Sequence, residues 1–160
     1  MQTRKIESGY LMKFSTGEEL VSRLVQFCTD NHIVAGSFTV IGATTKVVLG
    51  FYSLNKKEYH WKEFSGEFEI TGGVGNIAVF EEKPIIHMHT SIADEEFNAF
   101  GGHVKSLVVG ATCEVVLTIY AEKLERKADV EVGLNLWGLE AALPAAVSLE
   151  VFLVKSQKAI

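Results

Sequence analysis

The stretch Ala111-Thr112-Cys113-Glu114-Val115-Val116-Leu117-Thr118-Ile119-Tyr120-Ala121 decides how this chain is built. Cys113, Val115, Leu117 and Ile119 alternate with Thr112, Glu114, Val116 and Thr118, and a period of two marks a strand with one face turned inward. Shorter apolar runs punctuated by glycine precede it, at residues 10–14, 33–41, 46–52, 59–64, 67–70, 75–80 and 84–90. Ser65-Gly66 and Asn55-Lys56-Lys57 read as hairpin connections between such runs.

One segment has a different period. Ser15 stands three residues before Glu18, the capping-box pattern that satisfies free amides at a helix start. Leu20, Val21, Leu24, Val25, Phe27 and Cys28 follow at helical spacing, so an amphipathic helix is expected over residues 16–30. Many strands and one helix predict an α+β fold: a mainly antiparallel sheet with one long N-terminal amphipathic helix. Residues 94–100 are acidic and read as a surface loop or a short helical turn. Residues 136–143 read as a short helix ending before Pro144, and residues 146–154 as a last strand.

The 160 residues are 48% hydrophobic and 22% charged, enough apolar content for a sizeable core, and a single domain over 1–160 is expected. The net charge of −5, with no basic run longer than a pair such as Arg126-Lys127, argues against nonspecific nucleic-acid binding. No apolar stretch reaches the roughly 18–20 residues needed to span a bilayer, and the first residues lack a signal-peptide core. Cys28 and Cys113 have no CxxC partner and read as two reduced, buried thiols, which makes the cytoplasm the expected location.

Chemistry concentrates in Pro84-Ile85-Ile86-His87-Met88-His89-Thr90 and Gly101-Gly102-His103. On a strand, His87 and His89 point to the same side, roughly 6–7 Å apart along the chain. They can converge on one metal ion, with His103 as a third nitrogen after a chain reversal. Three histidines on Zn²⁺ leave one tetrahedral position free. The alternative on spacing alone is a structural role at an interface. Glu114 is open to several roles: fourth ligand, acceptor orienting an imidazole, general base on bound water, or plainly a solvent-facing residue or a partner of Arg or Lys across a subunit boundary. Glu69 is a second carboxylate that can handle a proton in a metal-dependent hydrolase or lyase. His32 and His60 have no local partner.

Thr71-Gly72-Gly73-Val74-Gly75-Asn76 lacks the Lys-Ser/Thr ending of a phosphate loop and precedes a strand, so its glycines serve a turn or a close backbone approach. Thr90 and Ser91 find no orienting carboxylate for a nucleophilic triad. A Cys113–His103 pair stays open, with nothing in the sequence that activates the thiol.

The order of motifs is itself informative. Gly17-Glu18-Glu19-Leu20, Ile41-Gly42-Ala43, Glu69-Ile70 with Gly73, Gly75-Asn76-Ile77-Ala78, His87-Met88-His89, Gly101-Gly102-His103 and Thr112-Cys113-Glu114 occur in sequence. Together they resemble the plant and prokaryote conserved (PPC) domain in its stand-alone prokaryotic form, over about residues 10–139. The resemblance implies an α+β domain assembling as a homotrimer. It also implies a divalent metal, zinc first, at His87, His89 and His103. DNA association is implied only by analogy with plant members. The Arg-Gly-Arg-Pro hook that enters the minor groove in those proteins is absent here. Residues 140–160 extend past the matched part.

Overall fold

The computed structural model describes residues 1–139, and strands dominate it. The elements are β1 (Gln2–Ile6), β2 (Gly9–Ser15), α1 (Leu20–Asp30), β3 (Gly36–Ser53), β4 (Glu58–Phe80), β5 (Lys83–Ala93), β6 (Ala99–Ile119), β7 (Arg126–Asp129) and β8 (Leu134–Trp137). Six of them form one antiparallel sheet in the order β1-β2-β6-β3-β4-β5, and β5 also pairs with β6. That last pairing closes β3, β4, β5 and β6 into a ring, with β1 and β2 extending from it.

The expectation of an α+β fold with a long N-terminal helix is corrected by this architecture. The helix has 11 residues, and its N-cap is Glu19, whose carboxylate accepts from Val21 N and Ser22 N. Ser15 N does donate to Glu18 Oε2 at 2.8 Å, but this closes a turn one step before the helix rather than starting it. The turn has its own task. Gly17 N donates to Val109 O, Val109 N to Glu18 O, and Leu107 N to Glu19 Oε1, each at 2.9 Å. The free edge of β6 between its β5 and β2 partners is thereby satisfied, as a buried backbone requires. Nothing in the single chain described supports the threefold assembly that went with that expectation.

The apolar runs read as separate strands are fused. Residues 33–41 and 46–52 belong largely to β3, and 59–64, 67–70 and 75–80 all belong to β4. Ser65-Gly66 is no hairpin: Ser65 pairs with Lys46, and β4 runs on through an irregularity in register. Asn55-Lys56-Lys57 does connect two strands, with Lys57 at φ 53°. Residues 71–76 lie inside β4, which disposes of a phosphate loop. Residues 94–98 form a turn in which Asp94 Oδ1 accepts from Glu96 N and Asn98 N. Leu136 and Trp137, expected in a helix, end β8, while residues 140–143 of that helix and the strand at 146–154 lie outside the described residues.

The period-two reading of residues 111–121 matches the core. Cys113, Val115 and Leu117 are fully buried and Glu114 and Val116 exposed. They pack with Phe14, Val40, Ile77, Met88, Ile92 and, from α1, Leu20 and Leu24. Gly42 sits at a bulge with φ 141°, where a Cβ would collide with Thr112 O and lie 2.8 Å from Cys113 Cα. Gly42→Ala is expected to destabilise by about 3 kcal/mol or more, read as a lower urea midpoint, because strain and backbone overlap add.

Candidate metal centre

His89 and His103 are direct partners across the β5–β6 ladder, and His87 stands two residues along β5, opposite Asn76 of β4. Met88 and Thr90 between them point into the core, so the three imidazoles share the outer face of the ring. One potential ligand atom from each lies within 4.8 Å of the others. His87 Nε2 and His89 Nε2 are 3.2 Å apart, and His103 Nδ1 is buried with no hydrogen-bond partner.

His103 is held by aromatic packing. Gly50 is its partner on β3, and Trp61 is the partner of Gly50 on β4. The missing side chain at Gly50 leaves room for the Tyr59 and Trp61 rings, stacked 4.5 Å apart. The Tyr59 ring lies 4.9 Å from that of His103. The β7–β8 hairpin covers the other side, tied down by Tyr52 OH donating to Val132 O and Lys57 Nζ to Val130 O. From β7, Arg126 reaches Asn76 Oδ1 at 2.8 Å and His87 Nδ1 at 3.2 Å.

Burial favours the neutral form of His87 and His103. It lowers the pKa of His103 to about 4, helped by His87, His89 and Arg126. Burial is also the main cause of the lowered pKa of His87, followed by Arg126 and His89. Neutral imidazoles at pH 7 offer lone pairs, the state a metal requires. The same shift sets a pH dependence for metal-free protein. An unfolded His103 takes its proton near the ordinary value of 6.5, while the folded one stays neutral to about 4. The unfolded state therefore binds more protons in that window, and stability is fully present above pH 6.5 and falls as pH drops towards 4. Melting temperature against pH in a chelator should show this slope, and His103→Ala should flatten it.

The structure does not bring the carboxylates here. Glu114 lies eleven residues further along β6, exposed, facing Lys13 and Ile41 across the ladders. Glu69 pairs with Ala43 and Ala93 and lines a separate cleft with Asp94 and Phe97. The Cys113–His103 pair is likewise not formed, since Cys113 Sγ faces Ala43 O and burial pushes its pKa up to about 11. Sequence reasoning missed Arg126, Asn76, Tyr59 and Trp61, which come from the two ends of β4 and from β7 and share no local motif.

The chain is thus a ring of antiparallel strands with three clustered histidines on its outer face. The model of the Plants and Prokaryotes Conserved (PCC) domain matches residues 1–121, and the chain belongs to this family. A "Putative DNA-binding protein" from Ralstonia eutropha JMP134 is 35% identical, with 86% of this chain and 96% of that chain covered and a TM-score of 0.81. A metal-containing protein from Archaeoglobus fulgidus is 34% identical over 88% of this chain and 100% of that one, with a TM-score of 0.76. A plant- and prokaryote-conserved (PPC) protein from Pyrococcus horikoshii is 32% identical over 89% and 100%, with a TM-score of 0.78. No curated protein matches the chain.

Proposed function

We propose that this chain is a metal-binding PPC-domain protein whose His87, His89 and His103 hold one divalent ion, zinc first. The observation that carries the reading is three imidazoles that bring one ligand atom each within 4.8 Å of the others, with His103 Nδ1 buried and without a hydrogen-bond partner among the described residues. Buried polar atoms find partners, and a cation held among the three imidazoles supplies one. Imidazole donors suit zinc, and the metal-containing relative from Archaeoglobus fulgidus supports the assignment. Elemental analysis after zinc loading and desalting tests it. About one zinc per chain is expected for the wild type and none for His87→Ala/His89→Ala. A wild type without stoichiometric metal contradicts it.

The ion serves here as an anchor within a regulatory or DNA-associated protein, a role supported by the naming of the relative from Ralstonia eutropha. Self-association is part of this reading. Leu11, Val116, Thr39 and Val74 form one row across the outer face, leading to His89, and Ile41 stands beside it; the four apolar side chains are exposed. Light scattering reads the copy number, and a monomer at micromolar concentration contradicts it. Binding to duplex DNA that weakens with salt supports the DNA role, and no salt-dependent binding removes it. The two unpaired buried thiols suit a reducing, cytoplasmic setting.

An ion on three neutral histidines would supply Lewis-acid chemistry and an acidified bound water. A metal-dependent hydrolase or lyase is the alternative function. With Glu114 and Glu69 on other parts of the sheet, that reading lacks the carboxylate base on which it relied.

A further inference from the structure

Among the described residues Arg126 is a cation without a counter-ion, set against a candidate cation centre. Its Nη1 donates to Asn135 O at 2.7 Å, and Nη2 reaches Asn76 Oδ1 and His87 Nδ1. Its Nε is buried with no partner, and among the described residues no carboxylate forms an ion pair with it. The guanidinium is part-buried, and with no partner for Nε its donors are not all used.

Its effect on His87 is specific. Metal-ligating histidines usually donate their second ring N–H to a carboxylate, carbonyl or water. A guanidinium only donates, so His87 Nδ1 must accept, and a neutral His87 then carries its proton on Nε2. That nitrogen is the one facing His89 Nε2. A cation at His87 Nε2 needs the proton moved to Nδ1, and Arg126 must first let go. The arginine and the cation therefore oppose each other, by tautomer and by like charge, until an anion comes between them.

We propose that the centre takes up its ion together with a small organic carboxylate, and that Arg126 is the residue holding the carboxylate. The planar fork of the guanidinium matches a carboxylate's two oxygens. The adjoining cleft of about 200 Å³ is walled by Tyr59, Ile85, Ile86, Leu134 and Leu136 beside His87 and His103, room for a short apolar body behind the acid group. Arg126 lies beyond residues 1–121 matched by the family model, so this property belongs to the hairpin that follows the matched part.

This rests on the metal reading of the three histidines, and cobalt separates the two. Wild-type protein titrated with Co²⁺ alone is expected to develop visible absorption; no absorption sinks the metal reading itself. With acetate present, at ionic strength matched by chloride, cobalt affinity is expected to rise roughly 5- to 150-fold, the usual range of coupling between two sites. Simple chelation of cobalt by acetate would act in the opposite direction. Arg126→Gln should bind cobalt more tightly than wild type without acetate and show no acetate response, and Arg126→Lys, which keeps the charge, should retain part of it. A wild type that binds cobalt equally well with and without acetate overturns the proposal. So does an Arg126→Gln protein that responds as wild type does.

Discussion

Replacing His103 with alanine is expected to remove zinc binding more completely than any change outside the three ligands. Loss of an outer partner of a metal ligand costs roughly 10- to 100-fold in affinity. Loss of His103 takes away a donor outright, on a ring whose Nδ1 has no hydrogen-bond partner among the described residues. Two histidines on one strand remain, and a third strand position cannot substitute, because Gly101 and Gly102 precede it. The folded protein should survive, since an imidazole half withdrawn from water is replaced by a side chain that needs no partner. Competition with a chromophoric chelator measures the loss. An affinity within tenfold of the wild type would show that His103 is not a ligand.

The second large effect is expected at Gly50, which touches no metal. A Cβ there would stand 2.5 Å from Trp61 Cζ3 and 2.8 Å from Tyr59 Cδ1. Both rings must move, and they are what His103 packs against, at 4.9 Å for Tyr59 and 6.0 Å for Trp61. Gly50→Ala should cost about 1–3 kcal/mol of stability, the usual range for overpacking. It should also weaken zinc binding by roughly tenfold through the loosened imidazole. Gly72 is the internal control, because a Cβ there meets nothing within 4 Å. Gly50→Ala and Gly72→Ala with equal zinc affinities would mean that the aromatic stack does not position His103.

The histidine site was legible because strand alternation is local. The His-x-His spacing puts His87 and His89 on one face whatever the rest of the fold does. His103 was legible only as a chain reversal away; the structure makes it the cross-strand partner of His89 through the turn at residues 94–98. The capping-box pattern extends the expected helix to residues 16–30, but only Leu20–Asp30 is helical, because Ser15 and Glu18 satisfy a turn that seals the β6 edge. Apolar runs in the sequence suggest more and shorter strands than the structure has, since glycines at irregularities in register look like turns in a sequence. Ser65-Gly66 is the clearest case.

Arg126 was invisible for a different reason. Its partners Asn76 and His87 are 50 and 39 residues away, and an Arg-Lys pair in a polar segment has no period to read. Glu114 drew attention as a polar residue in an apolar strand, but alternation places it on the outer face opposite Lys13, well along β6 from the histidines. Patterns of side chains reveal faces; only the register of β5 against β6 reveals which residues on a face meet.

The most direct test is a zinc-soaked crystal measured at the zinc absorption edge. One anomalous peak per chain is expected, about 2.0–2.1 Å from a nitrogen of each of His87, His89 and His103. A peak elsewhere on the chain, or none at zinc concentrations that saturate the protein in solution, would contradict the assignment of these three histidines as a metal centre.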